Sequence, residues 1–154
     1  MDLSDLIRPS AVLPAVKATS KRQVVQELAA KGAELTGLDE RLIFETLLER
    51  EKLGSTGIGS GIAIPHGKIA GLDAIHGAFA RLSKPIDFEA LDDEPVDLVF
   101  LLLAPESAGA DHLKALARLA RMLRVPGVAD RLRATSDAGT LFNILAEGQT
   151  PSAA

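Results

Sequence analysis

The stretch VDLVFLLLAP, residues 96–105, decides the architecture. Between Pro95 and Pro105 it holds DLVFLLL, an apolar run unbroken after its first residue. It is far too short to cross a bilayer, which takes about 20 apolar residues in a helix. A strand with one wet face alternates apolar and polar side chains, so a short run without alternation predicts a strand buried on both faces. Such a strand needs a covering layer on each side, and helical patterns stand before and after it in the chain.

Upstream, Ser20-Lys-Arg-Gln23 has capping-box spacing, and Val24, Val25, Leu28, Ala29 and Leu35 follow at helical intervals until Gly37. Asp39 caps a second helix, ERLIFETLLEREK (40–52), with Leu42, Ile43, Phe44, Leu47 and Leu48 as its stripe and Gly54 as its stop. Downstream, DHLKALARLARML (111–123) places Leu113, Leu116, Ala117, Ala120 and Leu123 on one face, and Pro126-Gly127 ends it. Two shorter helices follow, VADRLRA (128–134) and, after a Ser136 cap, DAGTLFNILAEG (137–148). IAI (62–64) and GAFARL (77–82) predict two further strands. Helices on either side of a central hydrophobic sheet make an α/β sandwich whose strand order one sequence does not give.

At 154 residues and 47% hydrophobic content the chain fits one domain with a core of its own. Five Phe and no Trp or Tyr leave little to stack on bases, and a net charge of −4 argues against binding a phosphate backbone, so nucleic acid is not an expected ligand. The absence of Cys excludes disulfides, zinc–thiolate sites and thiol nucleophiles. MDLSDLIRPSAVLPAV carries two acids before its first base and lacks a sustained apolar core, which is wrong for a signal peptide. The expected setting is the cytoplasm.

The chemistry concentrates in GSTGIGSGIAIPHG, residues 54–67. Gly57, Gly59 and Gly61 are spaced by two, so the third glycine of a dinucleotide fingerprint is missing, and the loop follows a helix instead of a strand. GIAIPHGK fails as a P-loop, with Ile69 where a magnesium-binding Ser or Thr belongs. Three histidines, His66, His76 and His112, lack any zinc-ligand spacing, and no metal is expected. His76 reads as a surface turn residue, and His112, in a first helical turn, reads on spacing alone as an exposed polar residue.

His66 differs, because Pro65 fixes the backbone before it and Gly67 removes a side chain after it. An accessible neutral imidazole can accept a phosphoryl group and pass it on without a cofactor. Positioning and charge stabilisation dominate such a transfer. Arg50, Arg8 or Lys68 could supply a cation, His112 a second imidazole, Ser55 and Thr56 hydroxyls, and the glycine loop free N–H groups. Ile58, Ile62 and Ile69 are the expected apolar rim.

At these residues the sequence resembles a known family. GIAIPHG after REKLGSTGIGSG is similar to the phosphorylation-site signature of the fructose/mannitol-type enzyme IIA proteins of the bacterial phosphotransferase system, and within it to the nitrogen-regulatory branch. The likeness runs from about residue 4 to residue 148, taking in IDFEALDDEPVDLVFLLLAP and the HLKALARLARML helix. It implies a mixed, about five-stranded sheet flanked by helices on both faces. It implies a domain over residues 4–148, with 149–154 as a frayed tail.

The resemblance also implies roles. His66 would carry the phosphoryl group on Nε2, received from an HPr-like phosphocarrier. His112 would be the second active-site histidine, and Arg50 the arginine beside the phosphohistidine. Regulatory targets would be proteins such as potassium transporters or sensor kinases. Two other readings stay open: a stand-alone sugar-transport enzyme IIA that passes phosphate to a IIB domain, and a non-catalytic interaction module.

Overall fold

Strand β6 (Val96–Pro105) is the spine of the sheet. The structure, a computed structural model, describes residues 6–149, with side chains described as far as Glu147. Within β6, Leu98, Phe100, Leu102 and Ala104 enter one core, while Val99, Leu101 and Leu103 enter another on the opposite face. Its lack of alternation is thus the mark of a strand serving two cores. Each fully buried Leu or Phe contributes about 1.5–3 kcal/mol, which is why a polar residue is absent from its middle.

Helices α1 (Lys21–Thr36) and α2 (Glu40–Lys52) cover the second core. Helices α3 (Ala110–Arg124), α4 (Val128–Arg133) and α5 (Ala138–Gln149) cover the first. No helix among the described residues is long and apolar enough to cross a membrane. Of the expected domain and tail, residues 4, 5 and 150–154 lie outside the described residues, and Gln149 closes α5.

The sheet is mixed. Strand β1 (Val12–Val16) runs parallel to β5 (His76–Ile86), which pairs antiparallel with β6, Phe79 opposite Phe100. On the other side of β6 lie β3 (Ile62–Ala63) and β4 (His66–Ile69), both parallel to it, and β2 (Gly57–Gly59) pairs antiparallel with β3. Ile62 pairs with Leu98 and His66 with Leu102, so the register carries through from β3 to β4 with no residue inserted. The two segments are one strand interrupted at Ile64-Pro65, and the expected five strands are the path β1-β5-β6-β3-β2 with β4 prolonging β3. Proline lacks the N–H that a ladder position needs, which accounts for the break.

Local sequence chemistry is visible at the helix ends. Ser20 Oγ accepts from the Gln23 N–H at 3.2 Å, while Gln23 Oε1 reaches back to the Thr19 N–H at 2.7 Å. Gly37 ends α1 with φ 74°, a left-handed conformation that glycine adopts without penalty. The cap of α5 is Asp137, not Ser136: Asp137 Oδ2 accepts from the Thr140 N–H at 2.8 Å.

The structure adds a strand and corrects two further expectations. β1, with Pro14 inside it, was not among the expected strands, and its place at the sheet edge is where a proline is tolerated. The glycine stretch contains a strand of its own, β2. Helix α3 is turned from its expected orientation: His112, Ala115, Leu119, Met122 and Leu123 are buried, while Leu113 stands 66% exposed.

Replacing Asp137 by Ala is expected to lower unfolding stability by about 1 kcal/mol, and Ser136→Ala to leave it within about 0.5 kcal/mol, both read from urea midpoints. Phe79→Ala, at a fully buried position facing Phe100, is expected to cost about 3–5 kcal/mol in the same assay.

Candidate active site

His66 opens β4 on the face that Leu102 takes in β6, and α3 covers that face. Its Nδ1 lies 2.8 Å from the Ile64 carbonyl oxygen, and Arg50 Nε lies 3.3 Å from its Nε2. A carbonyl only accepts and a guanidinium only donates, so the ring is neutral with its proton on Nδ1 and its lone pair on Nε2. Arg50 is itself anchored, donating from Nη1 to the Gly54 carbonyl at 2.9 Å.

Gly67 sets the approach of α2. A Cβ at this position would lie 2.9 Å from Thr46 Cγ2, so glycine lets α2 pack directly on the strand. Thr46 and Arg50 are four residues apart on one helix face, and the contact at Thr46 therefore brings the Arg50 guanidinium onto the imidazole.

His112 comes from the first turn of α3 and is 5% exposed, against its expected place in solvent. Its ring stands edge-on to that of His66, with centroids 5.3 Å apart and planes at 62°. Its Nδ1 is buried without a hydrogen-bond partner among the described residues.

Both imidazoles are held below their ordinary pKa of 6.5. For His66 the largest cause is burial. The bond to Ile64 opposes it, the Arg50 charge adds to it, and the Glu51 charge opposes it. For His112 the causes in order are burial, the His66 charge and the Lys68 charge. Desolvation disfavours the imidazolium, so both rings stay unprotonated at neutral pH.

Two recesses flank the pair formed by His66 and Arg50. One, of about 350 Å³, is bounded also by Glu49, Leu53, Lys68 and His112. The other, of about 300 Å³, lies against Ser55, Thr56, Ile58 and Leu116. Each is large enough to admit a small ligand. The imidazole is only half-buried and stands between two openings.

The remaining candidates divide. Ser55 and Thr56 line the second recess, but the Ser55 hydroxyl donates to the Phe88 carbonyl at 2.6 Å and that of Thr56 bonds Glu51. The loop N–H groups expected to be free are partly engaged: Gly57 N–H meets Ser55 Oγ, and Ser60 N–H meets Asp92. Lys68 is exposed at the first recess, whereas Arg8 lies with His76 at a different one. Of the expected apolar rim, Ile62 and Ile69 are 1% exposed and only Ile58 is half-buried; the exposed Leu53 borders the first recess instead.

Residues 5–148 match the family model described as "Phosphoenolpyruvate-dependent sugar phosphotransferase system, EIIA 2". The chain belongs to this family. Its members are phosphotransferase components, and the fold accords with that. The chain is 62% identical over 146 residues to a nitrogen regulatory protein of Bradyrhizobium diazoefficiens, covering 95% of each chain. It is 44% identical to a nitrogen regulatory protein of Pseudomonas aeruginosa, covering 96% of each. The crystal structure of nitrogen regulatory protein IIA-Ntr from Neisseria meningitidis superposes with a TM-score of 0.88 at 36% identity, covering 93% of this chain and 98% of that one. These likenesses support the nitrogen-regulatory IIA family, within the phosphotransferase enzyme IIA fold.

Sequence reasoning missed Glu51, which is buried beneath the loop and paired with Lys21 at 2.7 Å. The signal was present: Ile43, Leu47 and Glu51 recur every four residues, so a carboxylate ends the buried stripe of α2.

An NMR titration is expected to find His66 and His112 protonating below 6.5, and Arg50→Met to leave His66 depressed, because burial is the larger cause. His76 is lowered too, chiefly by burial. A lowered folded pKa means that the unfolded chain binds more protons, so stability is full above pH 6.5 and falls as pH drops toward the folded values. The urea midpoint should accordingly be lower at pH 5.5 than at pH 7.5.

Proposed function

We propose that His66 accepts a phosphoryl group on Nε2 from the phosphohistidine of an HPr-like carrier, and that its phosphorylation state selects among regulatory partners. The observation that carries this reading is the Nδ1–H bond to Ile64, which leaves the Nε2 lone pair at the recesses beside a fixed guanidinium. Transfer begins when Nε2 forms a bond to phosphorus as the bond from phosphorus to the donor ring breaks. The bonding pair returns to the donor nitrogen. Nδ1 keeps its proton throughout, and the Ile64 carbonyl stabilises the positive charge that the ring gains.

The phosphoryl oxygens need donors. Arg50 Nε–H, released from the lone pair as the new bond forms, turns to an oxygen, and His112 and Lys68 face the same recess. Ser55 and Thr56 border the other recess with their hydroxyls already engaged, so in this reading they shape the wall against the anion. No cofactor is required, since the donor brings an activated phosphoryl group. The carrier reaction sets the expected site of action in the cytoplasm, and the relatives named nitrogen regulatory proteins support a regulatory role over sugar transport. Potassium transporters and sensor kinases are the partner classes proposed.

Incubation with a phosphorylated HPr-type carrier is expected to place acid-labile, base-stable phosphate on His66, and His66→Ala to take up none. Arg50→Met and His112→Gln should each slow transfer on the order of 10²-fold while retaining the acceptor. Label on another residue would overturn the assignment, and no label at all would favour a pure interaction module. Onward passage of phosphate to a IIB domain would favour the sugar-transport reading.

A further inference from the structure

We propose that Glu51 is a positioning residue for the His66 nucleophile, acting through Thr56 and Ile64. The proposal rests on the reading of His66 as the phosphoryl acceptor and identifies what holds its lone pair on Nε2. Arg50 and Glu51 are neighbours on α2 that diverge by about 100° around its axis, one toward the imidazole and the other beneath the loop. The Glu51 side chain is 4% exposed and ion-paired with Lys21 Nζ at 2.7 Å. It accepts from the Thr56 N–H at 3.2 Å and from the Thr56 hydroxyl.

From Thr56 the linkage continues by backbone groups. The Thr56 carbonyl accepts from the Ile64 N–H at 2.9 Å, and the Ile64 carbonyl accepts the His66 Nδ1–H at 2.8 Å. An ion pair with a buried carboxylate and a half-buried ammonium is thereby connected to the ring through two residues, each held by a directional bond. The Lys21 ammonium also lies 5.1 Å from the centroid of the Phe88 ring, whose own carbonyl accepts from Ser55, so the anchor is tied down on both sides.

The linkage answers a chemical need. Free histidine favours the tautomer with its proton on Nε2, the form in which that nitrogen cannot attack phosphorus. The opposite tautomer is favoured by an acceptor held against Nδ1, which here acts together with the Arg50 Nε–H directed at Nε2. Here the acceptor is the carbonyl of Ile64, just before the break at Pro65, and Ile64 is located by its bond to Thr56. Thr56 sits in a glycine-rich turn between α2 and β2 that would otherwise have many conformations. Ion pairs, partly or fully buried, contribute little net stability, so one placed here is better explained by the geometry it imposes.

Two variants test this, because Glu51→Gln leaves Lys21 without its anion and could disturb folding. Thr56→Val keeps shape and branching but deletes the hydroxyl link, and Thr56→Ser restores it. In the unphosphorylated protein, ¹⁵N shifts of the His66 ring report the tautomer directly. Glu51→Gln and Thr56→Val should move the ring toward Nε2–H, and Thr56→Ser should keep it on Nδ1–H. In transfer from the phosphorylated carrier, kcat should fall on the order of 10-fold or more in the first two with KM little changed. If the folded Thr56→Val protein keeps wild-type ring shifts and wild-type kcat, the positioning role is lost. Because the tautomer is read without any donor, that outcome is separate from a wild-type protein that accepts no phosphate, which would overturn the acceptor role instead.

Discussion

Pro65 has no N–H to give, and one edge of the sheet is arranged around that missing donor. The strand from Ile62 to Ile69 keeps a single register along β6, so the interruption shifts no residue to the other face. It leaves β3 and β4 as separate segments, with Ile64 between them. Ile64 directs its N–H to the turn at Thr56 and its carbonyl to the ring two residues later. Pairing to β6 resumes at once, through the Leu102 N–H bond to the Pro65 carbonyl at 3.0 Å. The imidazole therefore stands on a strand that is rigid below it and irregular just before it.

That placement decides which electrostatic effect wins. A guanidinium 3.3 Å from a ring nitrogen opposes a second positive charge, yet burial depresses His66 further than Arg50 does. The same packing that desolvates the ring, α2 against Gly67 and α3 with His112, also delivers the groups that would meet a phosphoryl anion. A neutral, partly desolvated nucleophile with cations close by is suited to accepting a group that arrives negatively charged. Full burial would have closed the approach, and full exposure would have left the cations screened by water.

The architecture was legible because β6 has no polar residue between Asp97 and Pro105, and that pattern admits few alternatives. Helices α1 and α2 were legible through Ser20, Gly37 and Asp39, residues whose backbone and side-chain chemistry acts locally. The errors arose where two local solutions are nearly equal. Helix α3 is clearly amphipathic, but the chosen stripe passed over Leu119 and Met122 and was centred about a quarter-turn from the buried face, so it contained the exposed Leu113. Ser136 and Asp137 are adjacent, and either could cap a helix. His66 stood out because Pro and Gly flank it, whereas the burial of His112 depends on how α3 rolls against the sheet. The burial of Glu51 was readable from its spacing after Ile43 and Leu47, but its role was not: its partners lie on α1 and in the glycine turn, and only the folded chain brings them together.

The same geometry explains how a regulatory role could operate without a change of shape. Four residues of β4 pair with β6, so the strand that carries His66 has little freedom to move. Under the proposed role, phosphorylation adds about 1.5 to 2 negative charges to a patch that already presents Glu49, Lys68 and the exposed Leu53. A partner that covers Leu53 with an acidic or apolar surface tolerates the neutral ring and is opposed by the phosphorylated one, since like-charge juxtaposition across an interface costs several kcal/mol. A partner with a basic rim meets the reverse. Rigidity strengthens the discrimination, because a fixed charge cannot swing away from the interface it opposes.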